Sequence, residues 1–137
     1  RPDISFTVQT LSQFMQEPKE SHLKAALRLV KYLKDSPGRG VCISSESTLK
    51  VECFCDSDHG ACADTRRLVT GFLVKMGGSL ICWKSKKQTT ISISSAEAEY
   101  RALRMVIAEL TWIIGLLKEL HVPDVKPIKV HCDSSSV

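Results

Sequence analysis

The sequence lacks the features that mark membrane-spanning and exported chains. No run of apolar residues approaches the ~20 that a helix needs to cross a bilayer. The opening stretch, RPDISFTVQT, has no apolar core of the signal-peptide kind. The first residue is not Met, so we expect the chain to be an internal piece of a longer protein. These absences argue against a membrane partner and against secretion.

Metal-binding cysteine spacing is also missing. The chain has 6 Cys and 4 His, but no CxxC pair, and no histidine completes a zinc spacing. Four of the cysteines stand in apolar, strand-like stretches: Cys53, Cys55, Cys82 and Cys132. The pattern therefore predicts buried, reduced thiols in a cytosolic protein.

What is present is ordinary for a globular protein. Hydrophobic residues make up 43% and charged residues 25% of 137 residues, enough for a domain with a real core. The net charge of +4 is too mild to demonstrate a polyanionic partner by itself.

The first third of the chain has helical periodicity. One helix is predicted over Ser5–Met15 and ends before Pro18. A second begins near Ser21, ends at Ser36–Gly40, and carries one apolar stripe, made of Leu23, Ala26, Leu27, Val30 and Leu33. Its other side is basic, with Lys24, Arg28 and Lys31. That side fits a solvated helix face, or a surface that follows a nucleic-acid backbone.

The remainder alternates with period two around one long helix. Strands are predicted at Val41–Ile43, 51–56, 68–76, 79–84 and 128–132, with a hairpin turn at Gly77-Gly78. The helix runs from Ala96 to Leu120, with Trp112 expected in the core. This order predicts an α/β mixed sheet: antiparallel strands, then a parallel strand reached through a helical crossover. Residues 1–38 would form a helical segment, and residues 39–137 the sheet domain.

Three carboxylates could meet at one edge of this sheet. Asp56 and Asp133 each follow a predicted strand, and parallel neighbours would bring both to the same edge. Glu97 fits a capping box with Ser94, whereas Glu99 shares the face of the helix that would pack on the sheet. From spacing alone, solvated acids at strand and helix ends are the favoured interpretation, because three acids in a chain of this length are not specific.

Converging carboxylates repel one another unless a cation lies among them. An all-oxygen ligand set suits Mg²⁺ or Mn²⁺. Two such ions ~4 Å apart can activate water and stabilise the leaving oxygen of a phosphodiester. We predict that the carboxyl groups of Asp56, Glu99 and Asp133 lie within about 8 Å of one another, with Glu97 pointing outward.

Four ordered stretches carry a resemblance to a known family. They are DSDHG at 56–60, DTRRLVTG at 64–71, WKSKKQ at 83–88 and SSAEAEY at 94–100. Together they resemble the ribonuclease H region of copia-type retrotransposon Pol polyproteins. Residues 1–15 and 22–40 resemble the end of the reverse transcriptase region that precedes it.

The resemblance implies a ribonuclease H-like fold, two Mg²⁺ (or Mn²⁺) ions and hydrolysis of the RNA strand of RNA–DNA hybrids. It implies catalytic, metal-binding roles for Asp56, Glu99 and Asp133, although the family pattern alone does not separate Glu97 from Glu99. It also implies a cytoplasmic, particle-associated or nuclear location. Basic side chains that could contact nucleic acid are Lys84, Lys86, Lys87, Arg66, Arg67, Lys24, Arg28 and Lys31.

Departures from the family pattern favour a second hypothesis. His59 stands where the family has Trp, and Ser134-Ser135 stand where it has Asn-Gln. The family's fourth acidic ligand lies beyond position 137, and no Y-x-D-D polymerase motif is present. We therefore expect weak binding of the second ion and little cleavage by this chain alone. The alternative is a catalytically inactive retroelement remnant with residual nucleic-acid binding.

Overall fold

The computed structural model describes residues 1–45, 48–58, 68–122 and 127–132. The chain divides into two compact units, Arg1–Val41 and Cys42–Val137. Among the described helices, none is long and apolar enough to cross a membrane.

The first unit consists of helices. A short 3-10 turn, Pro2–Ile4, leads into α1, Ser5–Ser12, and α2 spans Glu20–Asp35. Arg1 joins the ends of the unit, because its guanidinium donates to the carboxylate of Asp3 and to the backbone oxygen of Ser36. The Arg1 guanidinium and the Tyr32 hydroxyl hold the pKa of the Asp3 carboxyl well below its usual range.

The apolar stripe of α2 exists but has no cover within its own unit. Leu23, Leu27 and Val30 are each more than half exposed, at 59%, 51% and 57%. No residue of α1 or α2 is buried. The amphipathic pattern thus predicted the helix correctly, while only Ala26 and Leu33 of the stripe are partly buried.

The second unit contains a four-stranded sheet and one long helix. The strands are β1 Val51–Asp58, β2 Val69–Met76, β3 Ser79–Lys87 and β4 Lys129–Cys132, and α3 spans Ser95–Glu119. Their order is β3-β2-β1-β4. β1 runs antiparallel to β2 and parallel to β4, which α3 reaches as a crossover. The predicted mixed α/β sheet is confirmed, and it is consistent with a ribonuclease H-like fold.

The core lies between this sheet and one face of α3. The buried residues of α3 are spaced three or four positions apart, on one face of the helix: Ala98, Ala102, Val106, Leu110 and Ile113. On the strands, alternate positions are buried against them: Val51, Cys53 and Cys55 on β1, and Phe72 and Val74 on β2. The remaining positions of β1, including Phe54 and Asp56, lie on the opposite face.

Two structural predictions are wrong. Val41 and Ile43 do not form a strand: Ile43 is 75% exposed, and the neighbouring Ser44 N–H donates to the side chain of Ser79 rather than to a strand ladder. Trp112 is 62% exposed instead of buried. It lies about 100° around the helix from the buried Ile113, and therefore points away from the sheet.

Candidate active site

Asp56 lies on the central strand of the sheet. β1 continues to Asp58, so Asp56 is inside the strand, opposite Gly71 of β2, and not at its end as predicted. Its side chain is exposed. Relative to the parallel neighbour β4, however, Asp56 comes directly after the last pair, Cys55 with Cys132.

The parallel register of β1 and β4 brings their side chains into contact pair by pair. Phe54 and His131 stack with ring centroids 4.6 Å apart. At the next pair, the sulfur atoms of Cys55 and Cys132 are 2.7 Å apart. In the sequence the following residues are Asp56 and Asp133, but Asp133 lies outside the described residues.

Glu99 lies one turn into α3, beside the buried stripe. It is half-buried and follows the fully buried Ala98. This position agrees with the expected carboxylate at the edge of the packed face. Asp56, in contrast, lies on the face of β1 away from α3. A shared ion would therefore require the two carboxylates to meet around an edge of the sheet.

Glu97 has a structural role at the start of α3. The Ser94 hydroxyl accepts from the Glu97 N–H, and the Glu97 carboxylate accepts from the backbone N–H of Ile93, one residue earlier than in the usual capping box. Arg101 donates to the same carboxylate at 2.6 Å. The Ile93 N–H and then Arg101 lower the pKa of Glu97.

The complete carboxylate cluster stays a prediction. Across the part of the chain that the structure describes, no three His, Cys, Asp or Glu side chains gather closely enough to hold a metal ion. Asp133, the third member, is not in that part. What Asp56 and Glu99 offer is carboxylate oxygen, a donor set that fits a hard divalent cation such as Mg²⁺.

The basic residues of β3 do not form one surface. Successive side chains of a strand point to opposite faces, so Lys84 and Lys86 lie on one face and Lys87 on the other. Lys84 Nζ is 3.7 Å from the Glu109 carboxylate of α3, which also accepts from the Cys82 thiol. Arg66 and Arg67 lie outside the described residues.

Three further basic side chains lie on α2, in the other compact unit. Lys24, Arg28 and Lys31 are exposed and follow helical spacing along one side. Lys24 pairs with Glu20 at 2.8 Å. Lys24 and Arg28 also line an open groove of the first unit, together with Thr7 of α1.

Gln88 is a residue whose importance the sequence did not reveal. It is buried, and its amide donates to the Thr70 hydroxyl at 3.0 Å and to the Ala98 carbonyl at 3.3 Å. Its side-chain oxygen accepts from Ser92. Gln88 thus ties the end of β3 to β2 and to the first turn of α3, next to Glu99. The surrounding polar stretch hides this role in the sequence.

The contact between Cys55 and Cys132 was also missed. Both were predicted to be buried, but Cys132 is exposed while Cys55 is 7% exposed. β4 is short, and all four of its residues are exposed, so alternation in the sequence does not produce burial there. Burial, followed by the bond with Cys132, raises the pKa of Cys55 to about 12.

Comparison with known proteins gives several relatives. The chain is 39% identical over 98% of its length to the retrovirus-related Pol polyprotein from transposon RE1 of Arabidopsis thaliana, but spans only 9% of that polyprotein. It is 45% identical over 82% of its length to an uncharacterized mitochondrial protein of the same plant, spanning 47% of it. It is 35% identical over 82% of its length to the secreted RxLR effector protein 161 of Plasmopara viticola, spanning 80% of it.

Two other comparisons found nothing. No family model matches the chain, and no solved structure matches it.

Proposed function

Because the chain belongs to the sequence family that includes the retrovirus-related Pol polyproteins of transposons and RxLR effector protein 161, we propose that it is the ribonuclease H part of a copia-type Pol polyprotein. Its substrate would be the RNA strand of an RNA–DNA hybrid. The reverse transcriptase region of the same polyprotein would be its covalent neighbour, and its place of action the cytoplasm, within a particle, or the nucleus.

The register of the two parallel strands carries this proposal. Phe54 contacts His131, and Cys55 contacts Cys132, so the ladder brings equivalent side chains together at two successive steps. Asp56 and Asp133 are the next step in the sequence. Continuation of the ladder by one pair would place two carboxylates side by side at the end of β4, and Glu99 would complete the set from α3.

Each of these carboxylates has a distinct part in hydrolysis. The central strand fixes the backbone of Asp56, which limits the positions that its carboxylate would sample. Glu99 would approach from α3, whose first turn Gln88 and Ser94 hold in place. Bound Mg²⁺ would supply an activated water and stabilise the leaving oxygen.

Recognition of the hybrid would rest on charge and shape. Phosphate contacts position a nucleic acid without reading its sequence, and Lys86, Lys87, Arg66 and Arg67 belong to the same unit as the carboxylates. The 2′-hydroxyls distinguish the RNA strand. Lys84 is less available because Glu109 neutralises it. Lys24, Arg28 and Lys31 would contribute through the preceding unit.

A cleavage assay on a labelled hybrid tests the proposal. The chain is compared with a longer form that continues through the family's next acidic segment, each in Mg²⁺ and with a chelator. We expect little cleavage by the chain alone and clear cleavage by the longer form. Asp56→Asn and Glu99→Gln should each lower the cleavage rate of the longer form by on the order of 10²-fold or more, because each removes a metal ligand.

Glu97→Gln is the matched control, since it alters a carboxylate two residues from Glu99 without touching the proposed site. Cleavage should survive this change. Loss of activity in Glu97→Gln with retention in Glu99→Gln would reverse the assignment. Absence of cleavage in both the chain and its longer form would favour the inactive remnant.

A further inference from the structure

A pair of thiols lies beside the candidate site and has no part in hydrolysis. Cys55 of β1 and Cys132 of β4 face each other across the parallel strands, and their sulfur atoms are 2.7 Å apart. Both are free thiols. They are 77 positions apart in the sequence, so the fold alone brings them together.

Directly opposed positions on neighbouring strands suit a disulfide. Strands in a sheet are ~4.8 Å apart, and disulfides join Cα atoms separated by roughly 4.4–6.8 Å. The sulfur contact shows that both side chains already point toward each other. The sulfur atoms would have to approach by roughly 0.7 Å more to reach the bond length of a disulfide, about 2.05 Å.

The two thiols also differ in access. Cys132 is exposed on β4, which has β1 as its one hydrogen-bonded neighbour among the described strands. Cys55 is 7% exposed on the central strand. An oxidant in solution therefore reaches Cys132 first, and the nearest thiol available to react next is Cys55.

We propose that Cys55 and Cys132 are a modification site, at which a hydroperoxide oxidises the pair to a reversible intramolecular disulfide. The Cys132 sulfur attacks one peroxide oxygen, the O–O bond breaks, and the sulfenic acid forms while the thiol proton passes to the leaving oxygen, which departs as an alcohol or water. The Cys55 sulfur then attacks the Cys132 sulfur, the S–S bond forms, and the sulfenic hydroxyl leaves as water with the Cys55 proton. The peroxide is reduced by two electrons, and the two thiols are oxidised by two.

Mass spectrometry of the hydroperoxide-treated chain tests the site. We expect one disulfide-linked peptide pair containing Cys55 and Cys132, formed at a rate independent of protein concentration and removed by dithiothreitol. Cys55→Ser should abolish the pair and leave Cys132 as a sulfenic or more oxidised acid. Cys42→Ser, which alters another exposed cysteine, should leave it unchanged.

Thermal melting provides a second readout that does not depend on proteolysis. A cross-link between residues so far apart in sequence should raise the melting temperature of the oxidised chain by on the order of 10 °C, and Cys132→Ser should remove that shift. Dimers linked through Cys132, preferential pairing of Cys42, or direct overoxidation of Cys132 in the unaltered chain would each overturn the proposal. None of these outcomes depends on nuclease activity.

Discussion

The two compact units use similar helices in different ways. α3 places five residues in a core against the sheet, whereas α2 leaves its apolar stripe exposed and buries nothing. Both helices are amphipathic and both were predicted from sequence. The difference shows that apolar periodicity identifies a helix but does not say whether its partner belongs to the same unit. The second unit has its own core, and the first is held by polar contacts around Arg1.

Matched Val→Ala substitutions should give the largest contrast. Val106 of α3 is fully buried and Val30 of α2 is 57% exposed. Val106→Ala should lower the free energy of unfolding by about 2 kcal/mol, because it removes two methyl groups from a packed core. Val30→Ala should change it by less than about 0.5 kcal/mol. Urea denaturation of both variants measures the difference, and equal losses would contradict the comparison.

Removal of the buried Gln88 side chain should have the next largest effect on the free energy of unfolding. Gln88→Ala removes hydrogen bonds to Thr70 and Ala98, and should cost about 1 to 2 kcal/mol of unfolding free energy. Gln16, exposed in the first unit, provides the control, since Gln16→Ala should be close to neutral. Chemical denaturation again reports the effect. A neutral Gln88→Ala would show that the tie between β3 and α3 contributes nothing.

Substitutions at the N-caps of α3 and α2 should have smaller effects on the free energy of unfolding. Ser94 caps α3 through its hydroxyl, and Ser94→Ala should cost about 1 kcal/mol. The N-cap of α2 is Lys19, a residue type that does not favour this position, so Lys19→Ala should cost less than Ser94→Ala. Circular dichroism during urea unfolding compares the two. The comparison fails if Lys19→Ala is the more damaging change.

Acid sensitivity of the start of α3 should be the smallest effect. Bonds from Ile93 and Arg101 lower the folded-state pKa of Glu97. Its stabilising contribution is therefore complete above the ordinary carboxyl pKa of about 4.3 and is lost as the pH falls through the lowered value. Glu97→Gln should flatten the unfolding free energy against pH in that acidic range. An unchanged acid profile would mean that these bonds do not favour the charged form.

Sequence patterns predicted the long helices and strands correctly. They failed for short segments, whose structure and burial depend on neighbours that are distant in the sequence. The alternating stretches and the α3 stripe predicted the sheet order and crossover correctly, because burial on one face imposes a period on the residues. Val41 and Ile43 alternate equally well, but none of the described strands pairs with them. Cys132 resembles a core residue, yet it lies on an exposed strand.

At the candidate site, too, local interactions could be predicted from the sequence and long-range contacts could not. The capping pattern predicted the role of Glu97 at the start of α3, because that interaction is local in the chain, and the metal-binding role of Glu99 stays a prediction. The ladder from Phe54 to Cys55 against His131 and Cys132 is long-range, and periodicity contains no information on register. The contact between Cys55 and Cys132 also depends on this register, so the sequence did not predict it. The role of Gln88 depends on partners in β2 and α3 that no local pattern identifies.

We propose that Asp56, Glu99 and Asp133 bind divalent cations together. A crystal of the chain soaked in Mn²⁺ tests this directly through the anomalous scattering of the metal. We predict a peak at the edge of the sheet where β4 ends, with carboxylate oxygens of Asp56 and Asp133 about 2.1 Å away and Glu99 as a further ligand. A peak bound by Glu97 instead of Glu99, or no peak near Asp56 at saturating Mn²⁺, would contradict the account.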